Sequence, residues 1–275
     1  MIKSHVFLAE SILKRFSYRD KDSRKLIDYI DFKNNCIKTD TTKHFNTQNG
    51  YFTDINEQKL KTFAEETIGN IIYELDKKHR KYGTNFNISY KIRKNIKKYI
   101  CYQLIRDDAI VEFIKEYFSK INCKRYYLSN ENLMRLHELK DCYSNVTINE
   151  LKNRLIEIEE EMDTFFESMV NLGILIRFNN TDRKFVLTSS TTALNPYSDG
   201  YFMMNITLTP EICVTLCNKK TLKRVLEISD NFYIAEIKDE QVVVQYNKEM
   251  YETAKKNTPH IIVGFRKELE EIMDK

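Results

Sequence analysis

A glutamine and an arginine lie on a helical stripe that is otherwise apolar. Between about residues 89 and 119 apolar side chains recur every three or four positions, which predicts a long helix, and Gln103 and Arg106 fall on the same stripe. Burying a guanidinium without a counter-charge costs on the order of several kcal/mol. Two interpretations follow. Arg106 forms a structural ion pair, with Glu65 or Glu66, or it lines a cavity that receives an anion.

The anion interpretation predicts a site assembled from distant parts of the chain. The N-terminal segment would lie across the two central helices, so that an imidazole, a carboxylate and a guanidinium meet. The catalytic candidates are His5, Glu66, Gln103 and Arg106. The ligand-binding candidates, at and beyond the end of a predicted strand, are Thr188, Ser189 and Asn195. Neutral donors around one fixed positive charge suit phosphate or a nucleotide better than a sugar or a metal.

The basic charge of the chain is concentrated in its first third. Residues 1–100 hold 21 Lys and Arg against 12 Asp and Glu, a net charge of +9, so the formal total of +4 leaves −5 for the rest. Nine basic residues fall in one stretch: Lys77, Lys78, Arg80, Lys81, Lys91, Arg93, Lys94, Lys97 and Lys98. Such a stretch is typical either of solvated helix faces or of a surface that contacts nucleic-acid phosphates, and both interpretations stay open here.

Three further patterns bear on metal and nucleotide chemistry. One predicted strand carries Glu236-Ile237-Lys238, the Glu-x-Lys spacing with which restriction-type nucleases hold a metal ion, although an alternating strand often produces it by chance. The other histidines have no ligand spacing, and Cys213 and Cys217, on one predicted helical face, lack the two further ligands that zinc needs. We therefore expect no histidine or cysteine metal centre. The six glycines form no phosphate-binding loop, which excludes P-loop and Rossmann nucleotide sites.

Composition indicates a folded globular protein. With 42% hydrophobic and 31% charged residues, and only 6 Gly and 3 Pro, the chain fits neither the disordered nor the collagen-like class. Every apolar run is much shorter than the span of about 20 residues that a membrane helix needs, so we expect no membrane association. The start of the chain does not resemble a secretory signal, which predicts a cytoplasmic location.

The periodicities predict which elements position these residues. Helices are expected at about residues 55–78, 89–119, 130–140, 147–172 and 265–274. Strands are expected as pairs at 26–39, 174–188 and 232–246, with another at 201–208. Thr147 and Glu150 form a capping-box pattern, and Asn247 is expected to cap a helix after the last hairpin. Together these elements predict one α+β domain over residues 1–275, with a helical centre at about 55–172, a strand-rich part at about 174–246, and antiparallel hairpins from the N- and C-terminal parts.

A set of short motifs follows one order along the chain. The residues are His5–Phe16, Tyr51-Phe52, Gln103-Leu104-Ile105-Arg106, Phe185–Thr192 and Leu208-Thr209-Pro210. In this order they resemble the bacterial family of unknown function DUF4238. Ser190 and Thr192 stand where the family has Asp and Pro. Because such genes lie among accessory bacterial genes, the resemblance implies, by association, a role in phage defence or toxicity.

Two functions of different classes follow from these observations. One is a nuclease-like effector of a bacterial defence or toxin system, acting on nucleic acid, for which Mg²⁺ is one candidate cofactor. The other is a non-catalytic module that binds RNA, a nucleotide or a protein partner encoded nearby. The absence of a complete catalytic constellation in the sequence favours the second, and the basic first third together with Arg106 favours the first. The sequence leaves the oligomeric state open.

Overall fold

The computed structural model describes residues 3–6, 8–106, 111, 146–157, 172–189, 203–217, 232–256 and 261–273. Helices and mainly antiparallel strands occur together, so the predicted α+β class is confirmed. The helices are α1 (Glu10–Leu13), α2 (Asp54–Thr62), α3 (Gly69–Tyr82), α4 (Tyr90–Arg106), α5 (Ile148–Glu157), α6 (Glu240–Lys256) and α7 (Arg266–Met273), with a π-helical segment at Phe63–Ile68. Within the described ranges, none of the helices has the length and apolar content to cross a bilayer.

The strands that the structure describes form three sheets. These strands are β1 (Lys3–His5), β2 (Tyr18–Arg19), β3 (Lys25–Asp31), β4 (Cys36–Thr41), β5 (Thr47–Asn49), β6 (Gly173–Asn179), β7 (Leu187–Thr188), β8 (Met203–Thr209), β9 (Ile212–Cys217), β10 (Phe232–Ile237) and β11 (Ile262–Gly264). Strands β1 and β5 pair alone. A second sheet has the order β2-β3-β11-β7, with β4 also paired to β3. The third has the order β10-β6-β9-β8, in which β10 runs parallel to β6 and the other pairs are antiparallel.

Two groups of buried side chains hold these layers together. The larger group joins the helices from α1 to α5 to the four-stranded sheet and includes Ile105, Leu155 and Val214. The smaller group surrounds α6, α7 and β11 and includes Met250 and Leu269. The helical layer therefore rests on the sheet through apolar contacts, and any polar residue on its inner side is enclosed by them.

The predicted helix at 55–78 is confirmed, but a π-helical segment interrupts it. The chain is helical from Asp54 to Tyr82, and the Thr53 hydroxyl caps its start by accepting a hydrogen bond from the Asn56 amide at 3.3 Å. The π segment adds one residue to a turn, which changes the side of the helix on which later side chains lie. Gly83, with φ at +58°, ends the helix in a conformation that side chains rarely adopt.

The capping box at the start of α5 is also confirmed. The Glu150 carboxylate accepts from the Thr147 amide at 2.8 Å, and the Thr147 hydroxyl accepts from the Glu150 amide at 3.2 Å. The predicted strands at 26–39 and 201–208 and the helix at 265–274 are present. The parts of the predicted helices beyond Arg106 and beyond Glu157, and all of the helix at 130–140, lie outside the described residues.

The predicted hairpin at 174–188 is wrong. β6 pairs with β9 and β10, whereas β7 belongs to the other sheet and pairs with β11. The reason lies in the backbone before β7, which bonds to a distant side chain instead of to β6. The Asn247 amide group accepts from the Val186 amide at 3.0 Å and donates to the Lys184 carbonyl at 2.8 Å.

The predicted hairpin at 232–246 is wrong as well. Its second strand is the beginning of α6, a helix that starts at Glu240 and buries Val243, Tyr246 and Met250 on one side. Three consecutive valines favour a strand locally, but the spacing of the buried residues fits a helix packed in the smaller core. Asn247 is consequently inside the helix and does not cap it. Cys213 and Cys217, expected on a helix, lie on strand β9.

Candidate functional site

Three polar side chains of α4 point into the helical layer. Tyr99, Gln103 and Arg106 are four and three residues apart, which places them on one side of the helix, and all three are buried. The predicted burial of Gln103 and Arg106 is therefore confirmed, and Arg106 is only 3% exposed. Among the residues that the structure describes, the side-chain oxygen of Gln103 has no hydrogen-bond partner, which is uncommon for a buried amide.

Arg106 is surrounded by an aromatic ring and a carboxylate of neighbouring elements. Its guanidinium carbon lies 5.3 Å from the centre of the Phe52 ring. Burial lowers the pKa of Arg106, and the negative charge of Glu57 on α2 opposes that shift. The carbonyl oxygen of Arg106 accepts from the buried ammonium of Lys152 at 2.9 Å, and the same ammonium donates to the Tyr51 hydroxyl. The guanidinium of Arg106 is thus enclosed beside an aromatic ring, and a negative charge on α2 acts on it.

The predicted partners of Arg106 are Glu65 and Glu66. Glu66 is exposed on the π-helical segment, and the side chain of Glu65 lies outside the description. Glu57, one helix earlier, is buried, and its negative charge acts on Arg106. The exposed Glu66 is therefore not part of this buried group, whereas Glu57 is near it and was not predicted.

Three of the other predicted site residues, His5, Thr188 and Ser189, lie in strands or directly after one. The backbone of His5 pairs with Thr47 in the two-stranded sheet, and the description does not extend to its side chain. Thr188 and Ser189 are buried at the end of β7. The Ser189 hydroxyl accepts a hydrogen bond from the Ile261 amide at 2.8 Å, and the Ser189 amide donates one to the Ile261 carbonyl at 2.9 Å. These two bonds join Ser189 to the segment that enters β11. Asn195 lies outside the described residues.

The predicted basic stretch divides into an outer and an inner group. Lys77, Arg80, Lys81, Lys91 and Lys94 are exposed. The other four, Lys78, Arg93, Lys97 and Lys98, are partly buried. The ammonium of Lys97 donates to the Leu172 carbonyl at 2.6 Å, and its burial lowers the pKa of Lys97 to about 8. Arg93 packs over the Phe232 ring of β10 at 5.6 Å. The inner group therefore contributes to packing, and the outer group faces solvent.

Tyrosines accompany the outer basic residues where α3 ends and α4 begins. Tyr82, the last residue of α3, is 48% exposed, and Tyr90, the first of α4, is 66% exposed. The ammonium of Lys81 lies 4.9 Å from the centre of the Tyr82 ring. We call this surface the basic corner and define it by Arg80, Lys81, Tyr82, Tyr90, Lys91 and Lys94. It combines cations for phosphates with flat rings on which nucleobases stack.

A histidine and a carboxylate meet beside the basic corner. His79, in the last turn of α3, makes a 2.9 Å hydrogen bond from Nε2 to Oε1 of Glu236 on β10. The His79 ring stacks on Phe178 of β6 with a centroid distance of 3.9 Å and an interplanar angle of 4°. Lys238 lies 3.5 Å from the other oxygen of Glu236. The hydrogen bond from His79 and, to a smaller extent, the charge of Lys238 hold the pKa of Glu236 below its usual value.

Sequence reasoning identified Glu236 and Lys238 but not their partner. The Glu-x-Lys spacing is one that metal-holding strands also show, but here both carboxylate oxygens of Glu236 face cationic or donor groups. In the part of the chain that the structure describes, no group of three or more His, Cys, Asp and Glu residues is arranged to hold a metal ion. Mg²⁺, the candidate cofactor of a nuclease, therefore has no fitting ligand set among these residues. One feature of the sequence pointed to His79 as a functional residue: it lies at the end of a basic helix.

Comparison with family models, with curated proteins and with solved structures finds no match. The resemblance to the DUF4238 family stays a prediction.

Proposed function

We propose that the chain binds single-stranded nucleic acid at the basic corner. The observation that carries the proposal is the alternation of exposed tyrosines with exposed cations at the junction of α3 and α4. Lys81, Lys91 and Lys94 make no ion pair with any carboxylate of the described residues, so their charges are available to phosphates. Base stacking on an exposed ring contributes about 1–3 kcal/mol per base, which adds affinity that lysines alone do not provide.

The alternative interpretation of the stretch, a solvated helix face, accounts for less. Solvation explains exposed lysines, but it gives no reason for Tyr82 and Tyr90 to flank the same turn. The packing of Arg93 on Phe232 and the bond between His79 and Glu236 fix the corner against the sheet. A rigid surface loses less conformational entropy when it binds a ligand.

Binding is tested by fluorescence anisotropy with a labelled single-stranded RNA at several salt concentrations. The variant K81A/K91A/K94A should bind more weakly, and the slope of log K against log salt should fall by about 2, since each phosphate contact to a single strand contributes about 0.7. The variant Y82A/Y90A should lose affinity with little change in that slope. The control K43A/K248A/K267A removes three exposed lysines elsewhere and should bind like the wild type. Equal losses in the control and in K81A/K91A/K94A would refute a localised site.

A second candidate function is the nuclease-like effector activity expected from the sequence. The pair His79–Glu236 favours it, because this pair adjoins the basic corner and has the composition of an acid–base catalyst. The role in bacterial defence or toxicity, and a protein partner encoded nearby, stay predictions from the resemblance. Incubation of the purified protein with single-stranded RNA and DNA, with and without Mg²⁺, tests the activity.

A further inference from the structure

We infer that His79, positioned by Glu236, is the general base of a ribonuclease site that needs no metal ion. The inference deepens the proposed function and depends on it, because the RNA must first bind at the basic corner. It assigns a substrate class, RNA, and a chemical role to a pair of residues that come from different layers of the fold.

The hydrogen bond between the two side chains determines which ring nitrogen faces the carboxylate. An ionised carboxylate only accepts hydrogen bonds, so Nε2 of His79 carries the hydrogen that lies between the two residues. In the neutral imidazole the other ring nitrogen, Nδ1, has a lone pair, and His79 makes no other hydrogen bond within the described residues. An imidazole with one nitrogen held by a carboxylate and the other available is the arrangement of a general base.

The surroundings of the pair keep it in place at the surface. Phe178 stacks on one side of the imidazole, and Phe86 meets Phe178 edge-on with a centroid distance of 6.2 Å. The side chains of His79 and Glu236 are 11% and 20% exposed, so a small part of each is open to solvent. Gly83 lies so close that a Cβ atom on it would be 3.8 Å from Oε1 of Glu236. The loop from α3 to α4 thus borders the pair at its first residue.

The position of the pair matches the surface on which RNA would lie. His79 directly precedes Arg80, Lys81 and Tyr82 of the basic corner. On the other side, Glu236 is followed by Lys238, whose side chain is 79% exposed. A phosphodiester near His79 would therefore have cations on both sides, which stabilises the negative charge that develops on its oxygens during cleavage.

The step that these residues support is an internal transesterification. The 2′-hydroxyl of the ribose gives its proton to Nδ1 of His79, and the 2′-oxygen forms a bond to the adjacent phosphorus. The bond from phosphorus to the 5′-oxygen breaks, and the 5′-oxygen leaves with the electron pair and takes a proton from the ammonium of Lys238. The products are a 2′,3′-cyclic phosphate and a 5′-hydroxyl. Proton exchange with water returns His79 and Lys238 to their starting states, so no oxidant, metal or added water is consumed.

The substrate specificity follows from the nucleophile. Because the attacking group is the 2′-hydroxyl of the substrate, single-stranded DNA should bind to the basic corner but stay intact. This difference separates the inference from a metal-dependent nuclease, in which water attacks and the 2′-hydroxyl is not required.

The test measures binding and cleavage separately on the full-length protein. Binding is measured with a 2′-O-methyl RNA, which has no 2′-hydroxyl to attack, and cleavage with the unmodified RNA in EDTA. The wild type should cleave the RNA and leave 2′,3′-cyclic phosphate ends. H79Q should cleave at least about 100-fold more slowly, the usual contribution of a general base, with unchanged binding. H44Q removes an exposed histidine elsewhere and should cleave like the wild type.

Glu236 is tested as a positioning residue through the separate effects of its variants on kcat and KM. E236Q keeps an oxygen that accepts from Nε2 but removes the carboxylate, so kcat should fall while KM stays unchanged. E236D, which restores a carboxylate, should recover part of kcat. A merely structural role would change KM as well, or would give no recovery in E236D.

The outcomes separate the inference from the proposed function. Binding of the 2′-O-methyl RNA without cleavage of RNA in EDTA would overturn the inference and leave the proposed function standing. Cleavage that requires a divalent metal ion, or that H79Q retains, would also overturn the inference. Absence of binding to either RNA would overturn both.

Discussion

His79 and Glu236 are 157 positions apart in the sequence and 2.9 Å apart in the structure. The bond joins the end of a basic helix to an edge strand of the four-stranded sheet. It lies next to a second contact between the same two layers, in which Arg93 packs over Phe232. The orientation of the basic corner relative to the sheet therefore depends on a small number of side chains whose removal can be measured.

The stability contributed by this bond should depend on pH. The pKa of Glu236 is lower in the folded chain than its usual 4.5, because His79 donates a hydrogen bond to the carboxylate. The unfolded chain thus takes up this proton at higher pH than the folded chain, so the contribution is full above about pH 4.5 and is lost as the pH falls through the folded pKa. In urea titrations the wild type should be more stable than E236Q near neutral pH, with the difference shrinking in acid. A difference that stays constant down to acid pH would contradict this account.

Two glycines should respond to alanine in opposite directions. Gly83 has φ at +58°, so Gly83→Ala should destabilise the chain by about 1–3 kcal/mol. Gly69 is helical, and a Cβ there would meet only Arg15 at an ordinary 3.7 Å, so Gly69→Ala should stabilise by about 0.5–1 kcal/mol. Chemical denaturation of the two variants measures both effects. A stable Gly83→Ala protein would show that the loop relaxes without strain.

The buried charge of Arg106 should depend on Glu57 and not on Glu66. Arg106→Met should lower the free energy of unfolding by about 1–3 kcal/mol, because it removes the positive charge that acts on the buried carboxylate of Glu57. Adding Glu57→Gln should recover part of that loss. Glu66→Gln, at an exposed position, should change the stability by less than about 0.5 kcal/mol. A double-mutant cycle in urea provides the measurement, and additive losses for positions 57 and 106 would contradict a coupling between the two charges.

Asn247 should contribute strongly to the stability of the contact between α6 and the segment before β7. Its side chain bonds to the backbone of Lys184 and Val186, so Asn247→Ala leaves a buried amide hydrogen without its acceptor. We expect a loss of about 2 kcal/mol. Gln245→Ala, on the exposed side of the same helix, is the matched control and should change the stability by less than about 0.5 kcal/mol. Similar values for the two variants would mean that solvent replaces these bonds.

Local patterns in the sequence predicted the helices more successfully than the strand pairing. The spacing of apolar residues at 55–78 and the capping box of Thr147 and Glu150 act over a few residues, and both occur in the structure. The three valines at 242–244 misled the prediction, because β-branched residues favour a strand until packing against a core decides. The backbone before β7 bonds to Asn247, which is 61 positions away, and β6 pairs with β9, and no local pattern reveals either contact.

In the candidate site too, local patterns predicted some features, and contacts between distant residues were not predicted. The burial of Gln103 and Arg106 followed from the period of one helix, and the structure confirms it. The carboxylate whose charge acts on Arg106, Glu57, lies on a different helix, and no spacing in the sequence links it to α4. His79 has no pattern linking it to Glu236, since tertiary folding alone brings them together. Residue types thus indicated which groups need partners, and the fold supplied the partners.

The place of β11 has a consequence for folding during synthesis. This short strand pairs with β3 through Ile262 and Ile30 and with β7 through Ile262 and Thr188, so it joins the earliest part of the chain to one of the latest. At the usual elongation rate of 5–20 residues per second, β3 emerges from the ribosome on the order of 10–50 s before its neighbour exists. During that interval one edge of β3 has an unpaired segment, a surface that chaperones recognise and that promotes aggregation. Slowing of translation anywhere between β3 and β11 lengthens this interval and should lower the yield of folded protein, whereas slowing before β3 is made should not.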